Sequence, residues 1–236
     1  MARDLAVVLD IDGTMIGNVA TQRSIYHLLS RDYEITGVPL RPHFLEFTKS
    51  IPGAELFVYT ASEAHWAETL VSHLERRYGL SFNRPLFTRP NTVWTGNEYQ
   101  KALKNIMPVI KNTMRHKHKE VFDLFAVDNS NCYAPEDLPY LINCPTYNNT
   151  VRVDIAKAIP RKAYLNNREH MDNHLMLYLN SDTKPSSYED FVRMLRNLNS
   201  FSFKNTNDTF WRDLSRLLKG SKDKESLRKI RLSLCR

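Results

Sequence analysis

The chain has 236 residues, 42% of them apolar, with 11 Phe and 11 Tyr, enough for one sizeable core. No apolar run approaches the roughly 20 residues of a membrane-spanning helix. The N-terminus runs into a strand-like segment with no charged and apolar leader, so a soluble fold that starts at once is expected. Three cysteines (Cys132, Cys144, Cys235) without Cys-x-x-Cys spacing argue against a disulfide framework or a cysteine-based zinc site, and imply a reducing compartment, cytosol or nucleus.

The formal charge of +7 is unevenly placed. From Lys204 onward ten basic residues face four acidic ones, Asp208, Asp213, Asp223 and Glu225. The tail therefore holds most of the excess. That is the pattern of a solvated helix face or of a surface for nucleic acid or another acidic partner.

In chain order, the run Ala6-Val7-Val8-Leu9 reads as a buried strand that ends abruptly in Asp10-Ile11-Asp12-Gly13-Thr14. Residues two apart on a strand share a face, so Asp10 and Asp12 would repel unless a cation or a turn separates them. Gly13, free to adopt backbone angles other residues avoid, supplies the turn. Ser24 to Ser30 suggests a short helix. Arg41-Pro42 suggests the start of another, with Pro in the first turn and Phe44, Leu45, Phe47 and Thr48 on its apolar face. Ile51-Pro52-Gly53 ends it.

Glu55 to Tyr59 forms a second apolar strand that stops at Thr60-Ala61-Ser62. Ser62 can cap the following helix, whose Trp66, Leu70 and Leu74 recur every four residues until Gly79 closes it. Residues 81–98 carry Asn83, Pro85, Pro90, Asn91 and Gly96 around Leu86-Phe87 and Val93-Trp94, which suits a small hairpin insert. A helix from about Glu98 to Ile110, a basic loop from Lys111 to Lys119, and a third strand, Val121 to Val127, ending in Asp128-Asn129-Ser130, follow. Tyr140 to Asn143 is a candidate fourth strand. His174 to Tyr178, Tyr188 to Leu198 and Phe210 to Leu218 have helical character. Alternating strands and helices predict a parallel sheet with helices on both faces.

Three strands thus end in polar groups at one sheet edge, where open parallel sheets bind ligands: Asp10/Asp12, Thr60/Ser62 and Asp128/Asn129. Carboxylates and hydroxyls without nearby His or Cys make a hard oxygen site suited to Mg²⁺, with phosphate as its companion. A carboxylate can serve as a covalent nucleophile. Asp10, which directly ends its strand, is the candidate, and Asp12 the general acid and base. A lysine between the second and third strands should neutralise phosphoryl charge.

With Thr60 after an apolar strand, a following lysine and Asp128-Asn129, the run Asp10 to Thr14 resembles the four motifs of the haloacid dehalogenase superfamily. Within it the chain resembles the RNA polymerase II CTD phosphatases and their small-CTD-phosphatase, NLI-interacting-factor-like relatives. That match lies in Leu40-Arg41-Pro42, Phe44-Leu45-Glu46-Phe47, Val58-Tyr59-Thr60-Ala61-Ser62, Leu86-Phe87, Tyr99-Gln100-Lys101-Ala102-Leu103 and Val127-Asp128-Asn129-Ser130.

The resemblance spans about residues 5–150 with a fainter helical echo to about Leu198, and implies a capless Rossmannoid domain over residues 1–200; the tail over 201–236 has no counterpart in it and reads, from its charge and helical pattern, as a basic, helical extension. The resemblance implies Asp10 as nucleophile, Asp12 as acid/base, Thr60 as phosphate donor and Lys101 as phosphate-binding cation, with Lys104 as competitor. Mg²⁺ would be held by Asp10, the Asp12 carbonyl and Asp128 or Asn129. Substrate contacts would come from Thr60, Ala61, Lys101, Arg89 and Trp94. Two departures stand out. The first motif reads Asp-Gly-Thr where these phosphatases more often have Asp-Glu-Thr, and Thr88 replaces a substrate-binding arginine, with Arg89 one place later.

Short connections leave no room for a large closing cap, so the expected substrate is a phosphate on a macromolecule. The first reading is a Mg²⁺-dependent phosphatase of phosphoserine or phosphothreonine in proteins, acting through an aspartyl-phosphate. The alternatives are a nucleic-acid 3′-phosphatase, suggested by the basic tail, and an inactive phosphatase-fold binding module. His116 and His118 read as solvated and Cys132 as structural. The Lys222 to Arg231 cluster suits a nuclear-localisation or nucleic-acid patch, or a docking helix through Leu227, Ile230 and Leu234.

Overall fold

The computed structural model describes residues 5–17, 34–37, 40–114, 123–147, 152–154, 161–179, 181–198 and 207–220. In chain order the elements are β1 (Leu5–Leu9), β2 (Glu34–Gly37), α1 (Phe44–Ser50), β3 (Glu55–Val58), α2 (Ala64–Tyr78), β4 (Val93–Trp94), β5 (Tyr99–Gln100), α3 (Leu103–Thr113), β6 (Asp123–Asp128), β7 (Leu141–Asn143), β8 (Arg152–Asp154), α4 (Arg161–Asn166), α5 (Arg168–Leu179), α6 (Tyr188–Leu198) and α7 (Phe210–Gly220). The expected helix at Ser24 to Ser30, the histidine pair and the Lys222 to Arg231 cluster lie outside the described residues.

The central sheet is parallel throughout, with strand order β3-β1-β6-β7. From β1 the chain crosses to β3 on one side and then returns past β1 to β6 on the other. The switch in direction therefore falls at the carboxyl ends of β1 and β6, the position where such sheets hold ligands. Alternation divides the strand residues between two cores. Val7, Leu9, Leu56, Val58, Phe125 and Val127 join the cluster under α1, α2 and the C-terminal helices. Ala6, Val8, Phe57, Tyr59 and Ala126 face α3 through Leu103, Ile106 and Ile110. Near-continuous apolar strands are what burial on both faces demands.

Helix α2 buries Trp66, Ala67, Leu70, Val71 and Leu74 and ends at Gly79, whose left-handed φ of 66° and N–H bond to the Glu75 carbonyl close it as expected. Three expectations are corrected. Pro42 does not open α1: Leu40 bridges Ile16 and Arg41 donates its N–H to the Met15 carbonyl, and Pro42 and His43 then form a turn in which His43 takes a left-handed φ of 65° and Phe44 donates to the Arg41 carbonyl, so the helix begins at Phe44. Ser62 does not take the cap position of α2, which falls on Glu63. The helix expected from about Glu98 begins at Leu103, because Tyr99 and Gln100 pair with Trp94 and Val93, and Lys101 is stitched to Cys132 and Ala134 by main-chain bonds of 2.7 and 2.8 Å.

The hairpin overruns its predicted segment of 81–98: β4 lies within it, but the partner strand β5 falls at Tyr99–Gln100, just beyond it, each strand two residues long. Beyond residue 201, α7 packs on α1: the Trp211 ring lies 4.8 Å from Phe44 and 4.6 Å from Phe47. Among the described residues no helix is long and apolar enough to cross a membrane.

Candidate active site

At the end of β1, Asp10 donates its N–H to the Val127 carbonyl at 3.0 Å, which sets its carboxylate beside Asp128 at the end of β6. Both continue the strand face that looks toward α3, and Lys101 enters from the segment just ahead of that helix. Its Nζ lies 2.7 Å from Asp10 Oδ1 and 2.5 Å from Asp128 Oδ2. Lys101 is 1% exposed. The rings of Tyr59 and Tyr133 flank the ammonium, each centroid 5.7 Å away, and supply further attraction. Lys104, the competitor one turn on, is 71% exposed at its side chain and pairs with Glu136 at 3.4 Å. Geometry brings Lys101 into the site and leaves Lys104 on the surface.

Charges in this volume shape one another. Burial pushes the Asp10 carboxyl up to about 7 against the pull of Lys101, with Asp128 and Asp12 adding to the rise. Burial also works against the Lys101 charge, but Asp10 and Asp128 outweigh it and hold the ammonium protonated well above its ordinary range. Asp128 Oδ1 accepts from the N–H and hydroxyl of Ser130, both at 2.8 Å, so the carboxylate is fixed at both oxygens.

The turn after Asp10 gives Gly13 a φ of +78° and brings Asn129 so close that a Cβ on Gly13 would meet its Nδ2 at 2.8 Å. Thr14 donates to Asn129 Oδ1, and Asn129 Nδ2 donates to Thr146 Oγ1, both at 3.1 Å. Asn129 is thus engaged with the loops around Gly13, whereas its neighbour Asp128 meets Lys101 and Asp10. Asp12, half-buried, accepts a hydrogen bond at Oδ2 from the Ser62 hydroxyl at 2.8 Å.

Thr60 is buried at the end of the β3 run, its N–H donated to the Phe87 carbonyl at 2.9 Å and its Oγ1 accepting from the Ser62 N–H at 3.2 Å. Ala61 is half-buried, and its carbonyl accepts from Arg89 Nε at 3.0 Å. The Arg89 guanidinium also pairs with Glu63 and lies 4.8 Å from the Tyr99 ring centroid. Arg89 is therefore tied to the rim of the site. Trp94, 56% exposed, packs on the same Tyr99 ring at 4.8 Å.

Ser62, Tyr59 and Tyr133 complete the site, though sequence reasoning gave them other roles or none. Tyr59 carried a signal, standing directly before Thr60 at the end of an apolar run. Tyr133 lies in a short segment with no periodicity to reveal it. Cys132 sits 3.8 Å from Asp128 Oδ2, and burial pushes its thiol up to about 11, so it is protonated at neutral pH.

No curated protein matches the chain. Among solved structures it is similar to the fission yeast RNA polymerase II CTD phosphatase bound to beryllium fluoride, at 15% identity and a TM-score of 0.49, covering 92% of this chain and 62% of that one. A family model, described as NLI interacting factor-like phosphatase, matches residues 5–172, a span that holds β1, β3, β6 and every residue of the charged site. With that model matching well over half of its length, the chain belongs to the NLI interacting factor-like phosphatase family.

Proposed function

We propose that the protein is a Mg²⁺-dependent phosphatase of phosphoserine and phosphothreonine in proteins, acting through an aspartyl-phosphate on Asp10. The observation that carries this reading is the buried Lys101 ammonium shared between Asp10 Oδ1 and Asp128 Oδ2 at a sheet switch point. A cation placed there neutralises charge on a phosphoryl group brought to Asp10.

The donor set fits Mg²⁺. Among the described residues no three His, Cys, Asp or Glu side chains group to hold a metal, but one or two carboxylates, with waters and phosphate oxygens, suffice for this ion. Asp10, Asp128 and the Asp12 carbonyl would hold it, and it would supply charge neutralisation at the phosphoryl oxygens. Asn129 serves the reading better as a brace for the Gly13 turn.

In the first half-reaction an Asp10 oxygen attacks phosphorus, the bond to the leaving oxygen breaks with its electron pair, and Asp12 gives that oxygen a proton. In the second, Asp12 takes a proton from water as the water oxygen attacks phosphorus, the bond to Asp10 breaks, and inorganic phosphate leaves. Lys101 stays charged throughout and steadies the phosphoryl oxygens, with Thr60 as a hydrogen-bond donor. The rim formed by Ala61, Arg89 and Trp94 would meet the chain that bears the phosphate.

A macromolecular substrate is favoured because the connection between Ser62 and Lys101 carries α2 and a hairpin of two-residue strands rather than a lid domain, and Thr60-Ala61-Ser62 after the second strand with Arg41-Pro42 ahead of it favour a protein. Cys132 and Cys144 are free thiols, in keeping with action in the cytoplasm or nucleus.

The test is hydrolysis of p-nitrophenyl phosphate with and without Mg²⁺, beside Asp10→Asn, then of phosphoserine peptides against 3′-phosphorylated DNA. Metal-dependent turnover that the variant abolishes, and preference for the peptide, are expected. Preference for the DNA would transfer the reading to nucleic acid. A wild type inert toward every substrate would leave a binding module.

A further inference from the structure

The hydroxyl of Ser62 is spent in an unexpected place. A serine just ahead of a helix ordinarily serves the free N–H groups of its first turn, yet the cap position of α2 falls on Glu63, which makes no side-chain capping bond. The Ser62 hydroxyl reaches back across the sheet edge and donates to Asp12 Oδ2 at 2.8 Å. Its own backbone is held on both sides. The Ser62 N–H donates to Thr60 Oγ1 at 3.2 Å, and its carbonyl accepts the Arg89 N–H at 3.0 Å. Arg89 Nε clamps the preceding carbonyl of Ala61 at 3.0 Å. Ser62 is 2% exposed, so water does not compete freely for its hydroxyl.

We propose that Ser62 is a positioning residue for Asp12, fixing the carboxyl through Oδ2 so that its proton is delivered along one direction to the departing oxygen. The proposal rests on the reading of Asp12 as acid and base. It extends that reading by making the loop after β3, clamped by Arg89 at the hairpin base, the part that aims the acid. Orientation of this kind matters because proton transfer demands hydrogen-bond distance and alignment with the receiving oxygen. It does not contribute when the leaving group departs readily without a proton.

That difference provides the test. The value of kcat/KM reports the steps through cleavage of the first phosphoester bond. For Ser62→Ala it should fall by about tenfold or more on phenyl phosphate, whose phenolate is strongly basic, a part of the roughly 10²–10⁴-fold that general acid catalysis contributes. On p-nitrophenyl phosphate, with a weakly basic leaving group, it should stay within about threefold of wild type. Ser62→Thr, which keeps the hydroxyl, should recover most of the loss on phenyl phosphate.

Equal losses on both substrates would overturn the proposal in favour of a structural role for the hydroxyl, and so would the absence of any loss. Wild-type protein that hydrolyses neither ester would refute the phosphatase reading and the positioning role together, an outcome distinct from either pattern in the variant.

Discussion

A lysine ammonium at 1% exposure survives in a protein interior only where opposite charges compensate its lost hydration. Lys101 has two such partners, and each of them needs it in return. Without the ammonium, Asp10 Oδ1 and Asp128 Oδ2 would both lose the buried positive charge they share. Lys101→Ala should therefore lower stability by roughly 3–5 kcal/mol and kcat/KM on an aryl phosphate by at least about 100-fold. Lys104→Ala, which removes only an exposed pair with Glu136, should stay within about twofold in activity and leave the urea midpoint close to wild type. Urea unfolding and steady-state kinetics on the two variants check both parts. A Lys104 variant as impaired as the Lys101 variant would contradict the assignment.

At the scale of elements, the turn after β1 is where geometry is tightest. Gly13 combines a φ of +78° with a carbonyl that accepts the Tyr147 N–H at 2.8 Å and a Cα face pressed against Asn129. Gly13→Ala should cost about 1–3 kcal/mol from the backbone angle and the displaced Asn129 amide together, measured as a lowered urea midpoint. An unchanged midpoint would mean that the turn relaxes freely. The need for a turn at Gly13 was legible because two carboxylates two residues apart cannot continue a strand unaided. The parallel sheet was legible from apolar runs that each stop at a polar group. What was not legible is pairing at a distance. Nothing local to Tyr99 and Gln100 reveals that they lie beside Val93 and Trp94, and so the start of α3 was misplaced. Ser62 failed for the same reason. Its spacing from Ala64 suits a cap, and only the return of the chain to the same sheet edge brings it to Asp12, whose Oδ2 accepts the hydroxyl at 2.8 Å. The choice of Lys101 over Lys104 came from a motif, and its physical basis, burial against two strands, is tertiary.

Across the whole molecule, α7 ties the region beyond the family match to the loops of the charged site. Arg41, buried beside α1, makes paired 2.8 Å bonds through Nε and Nη2 to Asp208, at the entry to α7. Its guanidinium also lies over the Phe210 ring at 4.8 Å and the Tyr147 ring at 5.6 Å, and donates to Cys144 Sγ at 3.3 Å. Tyr147 and Cys144 are in turn bonded through their N–H groups to the carbonyls of Gly13 and Asp128. One guanidinium therefore holds α7 on one side and the loops carrying the site on the other. Removing residues 207–236 would strand that charge without its carboxylate and uncover Phe44 and Phe47, which Trp211 now covers. Each loss alone carries a penalty of roughly 3–5 kcal/mol, a large share of the stability of an ordinary domain. The shortened chain should consequently fail to give a cooperative unfolding transition at 25 °C. Trp211→Ala in the full chain should fold and melt about 6–20 °C lower. In that variant the distances among Asp10, Lys101 and Asp128 do not depend on the indole, so activity at temperatures well below its melting point should remain within about threefold. A shortened chain that folds with wild-type stability would show that α7 is carried by the fold without supporting it.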